Sequence, residues 1–460
     1  MKRVAILGGR LQGTEAVFLA KLAGCHCILI EKERNTPASG IADAVLLCDV
    51  QHPSAELLAL LDSADLVLPA TENQGALSAL SALAKERNLP LAFSEQAYAV
   101  SSSKQKSDRL FRQLGIPCPR YADEVARDAR DSGAWAQDGY ILKPSGGSGS
   151  DGIVRVDDPA ALNQILAGAD GLQAGAGRPN RSAGALAAEP GEGEAHGAAD
   201  WIAQEYLPGR AFSVEVIGCP GHYRCYPLTE IHVDGGMDCC RVTVPLALGS
   251  DPAVQALYSD TLRLAEATGL YGIMDVEAIW HEGLMKVLEI DARFPSQTPA
   301  AVYASVGINY IEELLSLVGG TWGDSPSGEK PDSEATFATY ENIVATVQPD
   351  EAMPRVQSLG EHALAGAGPL SLHREEGTGE HAFGADYALT DLRTDTATGT
   401  TSLCGAFIYR AASEQGLDAR RAEIHERIRQ TVLCGKAADR FSEAHFRSVH
   451  GDPADGRRGE

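Results

Sequence analysis

Residues 272–300 read GIMDVEAIWHEGLMKVLEIDARFPSQTPA, and this run restricts the fold more than any other. Two apolar segments, IMDVEAIW and MKVLEID, alternate as adjacent strands of an antiparallel pair do, with His281, Glu282 and Gly283 as the turn. Glu289 and Asp291 are two residues apart, so both carboxylates lie on one face of the second strand. Glu277 can face them from the first. Like charges gathered on one face repel and need a cation. Hard oxygen ligands without His or Cys point to magnesium, which usually arrives with nucleotide phosphates. Arg293 follows on the same face and suits an anionic substrate or intermediate. The flanks are too apolar for a solvated surface ribbon.

The length of 460 residues suggests two to four domains, and 44% apolar residues suffice for real cores. Net charge is −24, from 39 basic and 63 acidic residues, without a Lys/Arg-rich block. That argues against nucleic-acid binding, which needs a basic footprint. An anionic nucleotide would be held by local cations against the global field. The N-terminal MKRVAILGG runs straight into a strand without a signal-peptide pattern, and no stretch approaches a membrane span. Ten scattered cysteines lack metal-ligand spacing and read as reduced thiols of a cytoplasmic protein.

Residues 1–98 alternate strands (4–7, 27–30, 44–47, 66–69) with helical patterns (13–23, 54–61), which predicts a parallel sheet with helices packed on it. A polar helix follows 101–103. The Ala/Gly-rich stretch 167–199 has no hydrophobic period and reads as a disordered insertion. A helix is expected near 309–318, strands near 335–344 and 401–409, and a helix over 416–433 before a polar tail.

Four motifs carry chemistry. GGRLQG, from Gly8, brings glycines to a helix N-terminus, and Glu31 closes the second strand where a dinucleotide fold places its ribose-binding acid. In YILKPSGGSGSDGI a strand ends in Lys143. The loop after it, with Ser145, Gly146, Gly147, Ser148 and Gly149, can donate amides to phosphates, and Lys104 can add a second cation. WIAQEYLPGRAFSVEVIG, from Trp201, reads as strand, turn and strand, whose backbone can meet an adenine edge. In LTEIHVDGGMDCCRV, Glu230, His232 and Asp234 alternate on one strand face, with Asp238 and Arg241 in the following turn, and favour an ammonium group.

The order lysine, lysine with glycine-rich loop, hinge and acidic hairpin resembles the ATP-grasp superfamily. GGRLQG, Glu72 in PATEN, SSSKQKS, QEYLPG, GIMDVEAI and EIDARFPSQTP resemble its pyrrolysine-biosynthesis ligases, over roughly residues 1–435. The resemblance implies an α/β (α+β) ATP-grasp fold with an N-terminal Rossmann-like domain at 1–98 and a central lobe at 99–206 that includes the insertion. A C-terminal lobe at 207–435 and a disordered tail at 436–460 complete it. It also implies that ATP and magnesium activate 3-methyl-D-ornithine, or D-ornithine, as an acyl phosphate that the ε-amine of L-lysine attacks.

Residue by residue, the resemblance assigns Lys104, Lys143 and Ser145–Gly149 to ATP phosphates and Gln204, Glu205, Tyr206 and Leu207 to adenine. Glu277, Glu289 and Asp291 would hold magnesium. Ser213, Val214, Glu215, Glu230, Asp234, Arg293, Ser296, Gln297 and Thr298 would surround the ornithine-type substrate. Arg293 would stabilise the acyl phosphate, with Lys143 as the other catalytic cation. Leu11, Gln12 and Glu72 would receive lysine, and Arg10 and Glu31 a nucleotide. A homodimer is usual for such ligases. Two departures stand out: Asp291 where the superfamily has Asn, and Ala211 where a ribose-binding Glu is common. Another amino-acid ligase of the superfamily, an NAD-dependent oxidoreductase and a non-catalytic binder remain the alternatives.

Overall fold

The computed structural model describes residues 1–121, 138–146, 152–157, 201–323, 335–360, 364, 367–374, 383, 385–395 and 397–450, with the backbone alone for Trp201 and 435–450. The 167–199 insertion and residues 451–460 lie outside the described residues.

Four short apolar runs form a parallel sheet: β1 (Arg3–Leu7), β2 (His26–Glu31), β3 (Ala44–Leu47) and β4 (Leu66–Pro69), in the order β3-β2-β1-β4. Parallel neighbours need crossovers: α1 (Leu11–Leu22) connects β1 to its neighbour β2, and α2 (Ala55–Asp62) carries the chain from β3 at one edge to β4 at the other, beside β1. α3 (Gln74–Arg87) follows β4. Ser54 and Asn73 cap α2 and α3 by accepting the Leu57 and Ala76 amides. The glycines of GGRLQG serve this packing. Gly8 has φ +102°, and a Cβ on Gly13 would lie 1.9 Å from the Gly8 carbonyl oxygen. Side chains there would push α1 off the sheet.

After α4 (Glu95–Ser101) and α5 (Lys104–Leu114), a three-stranded antiparallel sheet forms from β5 (Tyr140–Pro144), β6 (Val154–Val156) and β7 (Trp201–Glu205). An eleven-stranded antiparallel sheet follows. Its strands are β8 (Arg210–Cys219), β9 (His222–Cys225), β10 (Thr229–Val233), β11 (Cys239–Thr243), β12 (Gly272–His281), β13 (Leu284–Asp291), β14 (Phe337–Val347), β15 (Arg355–Ser358), β16 (Ser371–Arg374), β17 (Tyr387–Thr394) and β18 (Thr401–Ala411). The helices interspersed are α6 (Pro252–Thr268), α7 (Thr298–Val306), α8 (Tyr310–Val318) and α9 (Glu414–His450). Arg241, expected in a turn, lies in β11. β7 and β8 are no hairpin: β7 pairs with β5 and β8 with β12, so the Pro208–Gly209 segment crosses between sheets. Residues 436–450, expected as tail, continue α9. Among the described residues no helix is long and apolar enough to cross a membrane.

The acidic hairpin exists as β12 and β13, and period-two alternation splits it. Met274, Val276, Ala278, Val287 and Ile290 pack with Val254, Leu257 and Leu264 of α6. That burial fixes the other face, which carries the carboxylates. A second core joins the parallel sheet to the large one: Val17, Phe18 and Leu19 of α1 share it with Val302 of α7, Ile311 and Leu314 of α8, and Tyr340 of β14. Glu15 accepts the Ala300 amide at 2.7 Å, and Asn309 Nδ2 donates to the Leu19 carbonyl at 2.9 Å.

The helix α9 is pinned onto β14 by a buried carboxylate. Glu341 accepts from Arg421 Nε at 2.9 and 3.0 Å, from Tyr409 at 2.8 Å and from Ser358. Burial would raise its pKa, but His425, Arg421 and Ser358 outweigh it and hold it at about 2. A depressed folded value stabilises the protein above the ordinary carboxylate pKa of roughly 4. That stability is lost as pH falls from there through about 2. Glu341→Ala should cost about 3 kcal/mol at pH 7, because Arg421 loses a buried partner, and much less at pH 2. Urea denaturation at both values checks this; equal losses would refute it.

Candidate active site

Strand register builds the site. Ser213, Glu277 and Glu289 form one row across β8, β12 and β13, and Glu215, Asp275 and Asp291 form the next. A cavity of about 120 Å³ opens over these rows, lined by Ser213, Asp275, Glu277, Glu289 and Asp291. Arg293, Ser296 and Gln297, on the segment leading into α7, and Thr298, its first residue, close another side. Gln297 has φ 72°, strained for a side-chain-bearing residue, and Cys239 holds it: Sγ donates to Gln297 Oε1 at 2.8 Å.

Cations answer the acids from three directions. Lys104 Nζ lies 3.5 Å from Glu289 Oε2. Lys143 is buried and reaches the Leu288 carbonyl at 3.5 Å. Arg293 Nη2 lies 2.7 Å from Asp291 Oδ2 and 2.7 Å from Glu72 Oε1. Burial would raise Glu289, but Lys104 and Lys143 hold it below the usual carboxylate value. Burial lowers the Lys143 pKa; Glu289 opposes this and Lys104 adds to it. Burial raises Asp291, against the pull of Arg293. Asp275 is raised by burial and by the charges of Asp291 and Glu277. The α5 N-terminus adds a partial positive charge, with the Lys104 amide donating to the Ser145 carbonyl at 2.8 Å.

The three expected magnesium ligands share this cavity, but no group of three His, Cys, Asp or Glu side chains among the described residues is arranged to hold a metal alone. Mutual repulsion accounts for this, since Asp291 turns to Arg293 and Glu289 to Lys104. The donor set still fits magnesium, which takes one or two carboxylates and completes its octahedron with phosphates and water. Glu277 and Glu289 stand opposite each other, and Asp291 Oδ1 is buried without a hydrogen-bond partner.

No protein-family model matches the chain. It is 33% identical to the 3-methyl-D-ornithine--L-lysine ligase of Methanosarcina acetivorans, over 75% of this chain and 80% of that one. The ligases of the same name from Methanosarcina barkeri and Methanosarcina mazei are 33% and 32% identical, each over 73% of their length. The chain belongs to the 3-methyl-D-ornithine--L-lysine ligase family. Its fold is that of the ATP-grasp enzymes. The biotin carboxylase domain of Hydrogenobacter thermophilus 2-oxoglutarate carboxylase, solved with MgADP, superposes with TM-score 0.60 at 14% identity, over 92% of this chain and 89% of that one. N5-carboxyaminoimidazole ribonucleotide synthetase from Thermotoga maritima gives 0.55 at 18%, over 92% and 98%.

Several residues expected around the substrate are not among the side chains that line this cavity. Val214 points the other way from Ser213 and sits fully buried in the core with Phe212 and Val216. Glu215, on the Ser213 face, is sunk beneath the cavity, where Ser213 and Tyr310 donate to it at 3.1 Å. Ile231 and Val233, not Glu230 or Asp234, are the side chains of that stretch that line the cavity. Glu230 pairs with Arg210 at 2.6 Å, and Asp234 accepts the Gly236 and Gly360 amides. Asp238 does reach the cavity. The missed residue is Asp275; its two-residue step from Glu277 was the available signal.

In the hinge, the Glu205 and Tyr206 amides donate to the Arg120 and Gly139 carbonyls, Arg120 donates to the Glu205 carboxylate, and Gln204 donates to Asp108. Leu207 is buried. Ser145 and Gly146 are placed, with Ser145 Oγ accepting the Gln105 amide at 3.4 Å, while Gly147, Ser148 and Gly149 lie outside the described residues.

In the N-terminal unit, Arg10, Gln12, Glu31 and Glu72 line a separate cavity of about 390 Å³. Glu31 accepts the Gly9 amide at 2.6 Å and Arg10 pairs with Glu33. Leu11 packs against the core instead. If Val214 is core and not a substrate contact, Val214→Ala should cost about 2 kcal/mol of stability and leave every KM within twofold. A raised amino-acid KM at unchanged stability would return Val214 to the site.

Proposed function

We propose that the protein joins the carboxylate of 3-methyl-D-ornithine, or D-ornithine, to the ε-amine of L-lysine, using ATP and forming ADP and phosphate. A carboxylate acylates poorly, because its leaving group would be oxide. In the first step a carboxylate oxygen attacks the γ-phosphorus, the bond to the β-phosphate oxygen breaks, and ADP leaves. In the second, the neutral ε-amine attacks the acyl carbon, phosphate leaves, and the nitrogen loses a proton. The observation that carries this reading is one small cavity lined by opposed carboxylates and a buried arginine, with Lys104 beside Glu289 and Lys143 beside the Leu288 carbonyl on the same strand.

Lys104 and Lys143 suit the phosphates, whose negative charge would favour the protonated form that burial disfavours at Lys143. Glu277 and Glu289 would hold magnesium with the phosphates. When bound, that ion would offset charge on the transferring phosphoryl group. Arg293, in the cavity wall, would offer its planar fork of donors to the acyl phosphate. Glu72, near Gln12, suits the α-ammonium of lysine. Family membership favours this pair of substrates over the other amino acids such a fold can join, and the acidic cavity gives a nicotinamide reaction no role.

The test is ADP release with magnesium-ATP, each amino acid alone and both together, with the product weighed by mass spectrometry. A condensed product requiring all components, linked through the lysine side chain, supports the proposal. ADP release without a lysine adduct would move the acceptor amine elsewhere.

A further inference from the structure

Arg293 is only 8% exposed, yet it serves two units of the protein. Its Nη2 is shared between Asp291, at the end of β13, and Glu72, beyond β4 in the parallel-sheet unit. Glu72 Oε1 also accepts from Gln12 Nε2 at 3.2 Å. The groups proposed for the acyl phosphate and for lysine therefore meet in one ion pair. Glu72 cannot hold an incoming ammonium at full strength while its oxygen is satisfied by Arg293. Arg293 cannot give a phosphoryl group its full charge while both carboxylates hold it.

We infer that lysine capture is coupled to activation of the first substrate by exchange of this ion pair. As negative charge develops beside Arg293, the guanidinium turns to it and releases Glu72, which then takes the lysine α-ammonium. Glu72 is the partner that leaves. Its side chain is 32% exposed and can be rehydrated, whereas Asp291 is 21% exposed and has one oxygen buried. A phosphoryl group also competes well for a guanidinium, offering several charged oxygens to a planar fork of donors. The coupling is reciprocal by thermodynamic necessity: the anion strengthens lysine binding by the factor by which lysine strengthens the anion. The acyl group is then formed where its acceptor is already being drawn in. This inference rests on the proposed roles of Glu72 and Arg293.

The test is lysine affinity by calorimetry on the full chain, alone and with magnesium-ADP, aluminium fluoride and D-ornithine as a mimic of the transferring phosphoryl group. Lysine should bind the loaded wild-type protein on the order of tenfold more tightly than the protein alone. Arg293→Ala should bind lysine alone about as tightly as loaded wild type, because Glu72 is already released. Arg293→Gln carries the same expectation should the alanine variant not fold. Glu72→Gln should weaken lysine in every state. The double variant Arg293→Ala/Glu72→Gln should show no gain over Glu72→Gln, which separates exchange from a general change in field. An Arg293→Ala protein with unchanged or weaker lysine affinity, beside a weakened Glu72→Gln, overturns the exchange alone. A Glu72→Gln protein with normal lysine affinity overturns the lysine assignment and the exchange with it.

Discussion

Glu289→Gln should yield a folded protein whose turnover is lower by roughly 10²–10³-fold, the usual cost of removing a group that stabilises charge in the transition state. The substitution keeps the side chain's shape and removes one negative charge. That charge faces Glu277 across the hairpin, where a magnesium ion with phosphates would sit, and it balances Lys104 and Lys143. Losing it should raise the magnesium concentration needed for half-maximal rate and leave circular dichroism unchanged, because the apolar face of the hairpin is untouched. ADP release against magnesium concentration is the measurement. Wild-type turnover with wild-type magnesium dependence would contradict the metal role of this carboxylate.

Lys143→Met should reduce kcat/KM for ATP by roughly 10²–10³-fold. Methionine fills the buried channel of the lysine stem and cannot neutralise phosphate. The pH dependence separates charge from packing. Burial lowers the Lys143 pKa in the free protein, so the protonated fraction falls at a lower pH than for an exposed lysine. The alkaline limb of kcat/KM, which reports the free enzyme, should therefore lie below 10.5, the ordinary lysine value. In kcat the limb should move upward, because bound phosphate restores the charge. The Lys143→Met protein should lose this limb in both profiles. A variant that keeps the limb and loses under threefold in kcat/KM would show that Lys143 serves packing.

Much of this was legible in the chain because it depends on local periodicity. The β-α alternation of the first hundred residues gives β1 to β4, and the two-step spacing of Glu289 and Asp291 places both over the cavity. Alternation says which side chains share a face; it does not say which face meets the site. Hence Glu230 and Asp234 are expected around the substrate, while Ile231 and Val233 are the residues of that stretch that line the cavity. Parity alone could have separated Val214 from Ser213 and Glu215, and could have added Asp275. The signals for α6 were also present, with Asp251 capping its start and Gly269 ending it in a left-handed conformation. β9, β15 and β16 are only four residues each and give too short a period to read. The Arg293–Glu72 pair joins residues from two units, and only tertiary packing brings them together.

In the acyl-phosphate route a carboxylate oxygen passes from substrate to phosphate. The direct measurement is turnover of D-ornithine or 3-methyl-D-ornithine labelled with ¹⁸O in its carboxylate, with magnesium-ATP and L-lysine, followed by mass spectrometry of the released phosphate. The acyl-phosphate route predicts one ¹⁸O in each phosphate from fully labelled substrate. Unlabelled phosphate accompanying a condensed product would contradict it.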